Sequence, residues 1–123
     1  RYEIREPDVV VVLDPSLIDV AQVTTGLKKD GLVVVNSRKQ IPELKHLYGI
    51  RARTAIVDAT GIARDILGVP ITNTTMIGAL VRATGVVAFE SLIEPLKHRF
   101  GHLADKNIAA CQRAFAETIG EGI

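Results

Sequence analysis

The chain has 123 residues, 47% of them apolar, enough for a single domain with a core of its own. Aromatic residues make up only 4%, so Val, Ile, Leu and Ala must build that core. Fifteen Lys and Arg against fourteen Asp and Glu leave a net charge of +1. These charges are scattered, so nothing electrostatic favours nucleic acid or an acidic membrane as partner.

No apolar run approaches the roughly 20 residues that cross a bilayer. The single cysteine excludes an internal disulfide framework and suits a reducing compartment such as the cytoplasm. It also excludes an iron–sulfur cluster or cysteine-based zinc site held by this chain alone. The sequence opens Arg1-Tyr2-Glu3, with no initiator Met and a strand within a few residues, and reads as a chain whose N-terminal part is missing.

Pro7 opens 8-DVVVVLDPS-16, a β-branched run that reads as a strand covered on both faces, as in parallel sheets. In 16-SLIDVAQVTTGLKKDG-31, Ser16 is a candidate N-cap, with Leu17, Ile18, Ala21 and Leu27 facing inward. Asp30-Gly31 turns the chain into a second buried strand, 32-LVVVNS-37, completing a βαβ unit. Pro42 starts a short helix over residues 42 to 48 that Gly49 ends. A third strand, 54-TAIVDA-59, leads into a helical turn, 61-GIARDILG-68, which Gly68-Val69-Pro70 stops.

From there the chain reads as helical to its end. Residues 74 to 85 form a helix with one charge, Arg82, among small and apolar side chains, and Asn73, Thr74 and Thr75 crowd its mouth. Phe89, Leu92, Ile93, Leu96 and Phe100 share one face of the next helix, where Pro95 falls close enough to the start to break no intrahelical bond. The last helix, 103 to 121, lines up Ala104, Ile108, Cys111, Phe115 and Ile119. Three buried strands interleaved with helices give an α/β layered domain with a mainly parallel sheet. So narrow a sheet for so many helices again suggests missing strands.

Ligands of open α/β sheets gather beyond the carboxyl ends of the strands. Here Asp14, Ser16, Asn36, Ser37, Asp58 and Thr60 stand at those ends, and with the mouth of the 74–85 helix they are the places for a site. No G-x-G-x-x-G or Walker-type loop occurs. His98 and His102 have helical ligand spacing but no third ligand, so an exposed helix end is the favoured reading. Cys111 reads as a buried small hydrophobe, and Asp14 and Asp58 as helix caps before ligands. For Asn73-Thr74-Thr75 the cap leads, and a helix N-terminus offered to an anion or a partner chain stays open. Gly78, Ala79 and Ala83 behind it let another backbone come close, from this chain or another.

The run 71-ITNTTMIGALVRATGVVAFESLIEPLKHRFG-101, continuing into 103-LADKNIAACQRAF-115, resembles the gamma subunit or domain of the 2-oxoacid:ferredoxin oxidoreductases, most closely the pyruvate enzyme. The pattern N-T-x-M-x-G-A-x-x-[KR]-A-T-G-[IV] is carried by Asn73, Thr74, Met76, Gly78, Ala79, Arg82, Ala83, Thr84, Gly85 and Val86. Glu90-Ser91-Leu92, Arg99-Phe100 and Lys106-Asn107 with Ala110 continue it, and 6-EPDVVVVLDPSLI-18 resembles an earlier segment. Phe89 stands where the family usually has Leu. The family's glycine-rich N-terminal segment is not in this sequence.

The resemblance implies a Rossmann-like gamma domain over residues 1–123, lacking N-terminal strands. It implies a cytoplasmic complex that decarboxylates pyruvate, or a related 2-oxoacid such as 2-oxoglutarate, a branched-chain oxoacid or indolepyruvate. Electrons would go to ferredoxin and the acyl group to coenzyme A. Alpha-, beta- and delta-type partner subunits would hold the thiamine diphosphate, Mg and iron–sulfur clusters, leaving this chain non-catalytic alone. Its role would be assembly and enclosure of coenzyme A, with Asn73, Thr74 and Thr75 as the cofactor-binding or interface residues. A purely structural interaction module and a free-standing small-molecule-binding domain are the other readings.

Overall fold

The computed structural model describes residues 8–123; the opening Arg1-Tyr2-Glu3 and the Glu6-Pro7 part of the resemblance lie outside the described residues. Strands β1 (Val9–Val12), β2 (Leu32–Asn36) and β3 (Arg53–Val57) pair in parallel in chain order. Helices α1 (Val20–Thr24) and α2 (Ile41–Tyr48) connect them. Then come α3 (Ala59–Leu67), α4 (Asn73–Thr84), a 3-10 turn at Phe89–Leu92, α5 (Ile93–Phe100), a second 3-10 turn at Gly101–Leu103 and α6 (Ala104–Glu117). A two-residue strand β4 (Ile119–Gly120) closes the sheet against β3, antiparallel.

Side chains alternate across a strand, so one sequence run feeds two cores. Val33, Val35 and Ile56 face α1 and α2 together with Val12, Val20, Leu44 and Ile50. Leu32, Val34, Ala55 and Val57 face α3, α4 and α6 through Ile62, Met76, Ala79, Ala110 and Ala114. Helix α5 lies outside α6, where Phe89, Leu96 and Cys111 form a third cluster, and Phe89 meets Phe115 at 5.4 Å between ring centroids. The result is the three-layer α/β domain expected from the strand pattern.

Several elements differ from the sequence reading. Strand β1 lies at the edge of the sheet among the described residues, and it is not covered on both faces as expected, because Val11 is 38% exposed. Helix α1 begins later than Ser16, because Ser16 donates from N–H (3.0 Å) and Oγ (2.6 Å) to Asp14 Oδ1 in a turn. Asp19 caps the helix instead, accepting from Gln22 N–H at 3.1 Å. Leu17, expected inside, is therefore 78% exposed, and Ile18 is exposed too. The last helix stops at Glu117, and Ile119 faces solvent in β4.

Glu121, just past β4, explains that stop. Its N–H donates to the Thr54 carbonyl (3.1 Å), and its Oε1 accepts from the Thr54 N–H (3.0 Å) and from Lys45 Nζ (2.9 Å). One residue thus satisfies both backbone groups of Thr54, which is wholly buried on β3.

Candidate functional site

At the carboxyl rim of the sheet, beside a cavity of about 330 Å³ that Arg38, Lys39 and Arg64 also line, Asn36 and Asp58 are tied to the backbone. Asn36 Nδ2 donates to the Leu13 carbonyl (3.0 Å) and to Thr60 Oγ1 (2.8 Å). Its Oδ1 accepts from Ala59 N–H (2.9 Å) and Thr60 N–H (3.3 Å). Asp58 Oδ1 takes the Gly61 N–H at 3.0 Å, and the Asp58 carbonyl takes that of Ile62. All four N–H groups of the first turn of α3 are spent, so this helix end offers nothing to an anion. Asp58 is the N-cap that the sequence favoured; Asp14 instead closes the turn to Ser16.

The mouth of α4 is built the opposite way. Thr72 occupies the N-cap position with φ −107° and ψ −11° and makes no side-chain cap. The expected cap from the Asn73-Thr74-Thr75 cluster is therefore absent, because the helix starts one residue too early to use it. Asn73 Oδ1 accepts only from the neighbouring Thr74 N–H (3.1 Å), and Met76 N–H goes to the Thr72 carbonyl (2.9 Å). The N–H groups of Asn73 and Thr75 take no partner among the described residues. A twelve-residue helix directs its positive end at this opening.

The three cluster residues part company here. Asn73 and Thr74 line a cavity of about 390 Å³; the Thr75 side chain is fully buried away from it, its Oγ1 without a hydrogen-bond partner. Across the cavity stand Arg99 at the end of α5 and Lys106 and Asn107 in the first turn of α6. Arg99 and Lys106 are exposed and make no ion pair among the described residues. Leu67, Val69, Ile71, Phe100 and Leu103 complete an apolar wall. The Arg99 guanidinium lies 5.1 Å from the Phe100 ring centroid, a cation–π contact that holds it at the rim. N–H groups and two cations without partners among the described residues, together with an apolar wall, suit an anionic group attached to an apolar arm. The sequence named Arg99, Lys106 and Asn107 only as motif residues; the site appears when the α5–α6 corner meets the mouth of α4.

That meeting depends on Gly78. A Cβ there would overlap the Cys111 carbonyl oxygen and lie 2.8 Å from its carbon, so only glycine lets α4 and α6 come this close. Cys111 Sγ donates to the Thr74 carbonyl at 3.0 Å, and burial pushes its thiol up to about 11. No group of three His, Cys, Asp or Glu among the described residues is placed to hold a metal. His98 and His102 both lie exposed. No helix among the described residues is long and apolar enough to cross a membrane.

The outer side of α4 is also apolar. Ile77 and Leu80 form a groove with Val11 and Leu13 along the open edge of β1, so the helix is small toward α6 and apolar toward this groove.

A sequence profile of the pyruvate ferredoxin/flavodoxin oxidoreductase family matches residues 1–117. The chain belongs to that family. It is 52% identical over 121 residues to the common subunit gamma of the pyruvate/ketoisovalerate oxidoreductases of Thermococcus kodakarensis, covering 97% of this chain and 65% of that protein. It is 43% identical over 120 residues to the pyruvate synthase subunit PorC of Methanocaldococcus jannaschii, covering 97% and 64%. The crystal structure of the pyruvate oxidoreductase subunit PORC of Thermotoga maritima superposes with a TM-score of 0.87 at 34% identity, over 96% of this chain and 67% of that one. The chain is thus of the gamma type, with its α/β fold, and spans 65% of the length of the Thermococcus relative.

Proposed function

We propose that this chain is the gamma component of a cytoplasmic, multi-chain 2-oxoacid:ferredoxin oxidoreductase acting on pyruvate, and that the cavity at the mouth of α4 helps to enclose coenzyme A. In this reading alpha-, beta- and delta-type chains hold thiamine diphosphate with Mg and the iron–sulfur clusters, pass electrons to ferredoxin and complete the acyl transfer. The gamma chain contributes binding and orientation. Its own residues supply a preorganised anion seat: the N–H groups of Asn73 and Thr75, with Asn73 and Thr74 side chains at the rim. Arg99 and Lys106, which make no ion pair among the described residues, supply charge that a phosphate neutralises.

The observation that carries this reading is the contrast between the two helix ends. The N–H groups at the start of α3 are taken by Asn36 and Asp58, while those of Asn73 and Thr75 at the start of α4 have no partner among the described residues and lie beside Arg99 and Lys106. A structural interaction module alone would need no such opening. A branched-chain oxoacid is the second reading for the substrate, favoured by the Thermococcus relative's name, which joins pyruvate with ketoisovalerate. Substrate choice then lies with the partner chains.

The test is the Arg99→Ala, Lys106→Ala double variant in the assembled complex. Loss of two charge-assisted contacts should raise the KM for coenzyme A at least about tenfold, or ~1.4 kcal/mol, with the KM for pyruvate unmoved. An unchanged KM for coenzyme A with intact assembly refutes the proposal.

A further inference from the structure

The cavity of about 330 Å³ lies where β2 and β3 end, the side of an open α/β sheet on which ligands collect. The N–H groups at the start of α3 are spent on Asn36 and Asp58, so side chains must hold any ligand there. Arg38, Lys39 and Arg64 line the cavity against one carboxylate, Asp58, which leaves a surplus of two positive charges. That carboxylate is already matched, its Oδ1 by the Gly61 N–H at 3.0 Å and its Oδ2 by Arg38 Nε at 3.8 Å. Lys39 meets Glu43 only at 3.8 Å. Arg64 makes no ion pair among the described residues, and the carboxylate beside it, Asp65, is taken by Arg113 at 2.9 Å.

Two hydroxyls also face this space. Ser37 Oγ accepts the Lys39 N–H at 3.1 Å, and Thr60 Oγ1 accepts from Asn36 Nδ2 at 2.8 Å. A hydroxyl has one proton to give, and neither gives it to a partner among the described residues. Each oxygen is thus fixed as an acceptor while its proton is left for a ligand. Asn36 holds Thr60 twice, since its Oδ1 also takes the Thr60 N–H at 3.3 Å, so this donor is held in place before any ligand arrives.

We propose that this cavity is a binding site for the phosphate monoester group of a small ligand other than coenzyme A. It shares no lining residue with the cavity at the mouth of α4. A phosphate monoester carries about 1.5 to 2 negative charges at neutral pH and three terminal oxygens, matching the surplus charge and the several donors together. A carboxylate leaves one of the two surplus charges unmatched and has one oxygen fewer to accept with.

The experiment titrates inorganic phosphate, and separately acetate, into the full chain at constant ionic strength and follows the backbone amide shifts by NMR. Phosphate should give saturable shifts concentrated at residues 37–39 and 60–64, with acetate binding at least about threefold more weakly. Arg64→Gln should weaken phosphate roughly three- to fivefold, the upper range of one exposed charge pair. Lys97→Gln, which removes a cation outside the cavity that pairs with Glu94, should leave phosphate binding unmoved. Shifts that never saturate, or that follow every exposed cation alike, overturn the proposal. Acetate binding as tightly as phosphate overturns it in favour of a carboxylate. In the assembled complex saturated with coenzyme A, Lys39 should stay open to acetylation by an amine-reactive reagent and become protected when phosphate is added. Lys39 already protected before phosphate, by coenzyme A or by a partner chain, also overturns it.

Discussion

Replacing Gly78 by Ala tests the packing on which the cavity rests. The new Cβ would overlap the Cys111 carbonyl oxygen and stand 3.0 Å from the Cys111 Cα. These are backbone atoms of α6, so no side-chain rotation relieves the clash. Overpacking costs about 1–3 kcal/mol, and an overlap with backbone belongs at the upper end. Alanine returns about 1 kcal/mol through helix propensity. The net expectation is a loss of about 2 kcal/mol, or roughly 8 °C in Tm for a domain of this size. Urea unfolding followed by circular dichroism measures it. Gly26→Ala is the control, because nothing lies within 4 Å of a Cβ there and its backbone carries no positive φ. That change should be neutral or stabilise by up to about 1 kcal/mol. A Gly78→Ala protein as stable as the wild type would refute the close α4–α6 approach.

Asn36→Ala should cost about 2–4 kcal/mol in the same assay, since it orphans the Ala59 and Thr60 N–H groups and the Leu13 carbonyl together. Thr75→Val should be neutral or stabilise by about 1 kcal/mol, because the hydroxyl it removes is buried without a partner; a loss above that size would mean the hydroxyl is bonded. Glu121 supplies a pH dependence. The Lys45 ammonium hydrogen bond holds its carboxyl below the ordinary carboxylate range, so the folded state favours the ionised form. Its contribution is present at neutral pH and is lost as pH falls through the folded-state value. The protection factor of the Thr54 amide against hydrogen exchange should fall in acid for the wild type, and already at neutral pH for Glu121→Gln.

The strands were legible because a continuous β-branched run has few alternatives to a sheet. What such a run does not carry is its position: β1 and β2 are both valine-rich, yet only β2 is buried from Leu32 through Val35. Helix starts went astray where a short polar residue had two possible partners. Ser16 bonds back to Asp14, and Asn73, already the first residue of α4, bonds to its own neighbour, so neither caps a helix. Strand β4 could not be read because its anchor, Glu121, reaches Thr54 across 67 residues. The cavity lies between these cases. Its residues stood in the C-terminal motif that resembled the family, but only the turn at Gly101–Leu103 brings Arg99 and Lys106 to the same side of the α4 mouth.

The central claim, that the mouth of α4 encloses coenzyme A, is tested most directly by a structure of the assembled complex with coenzyme A bound. The account predicts a phosphate within hydrogen-bond distance of the Asn73 and Thr75 N–H groups, facing Arg99 and Lys106. Coenzyme A bound wholly on the partner chains, with this cavity empty, would contradict it.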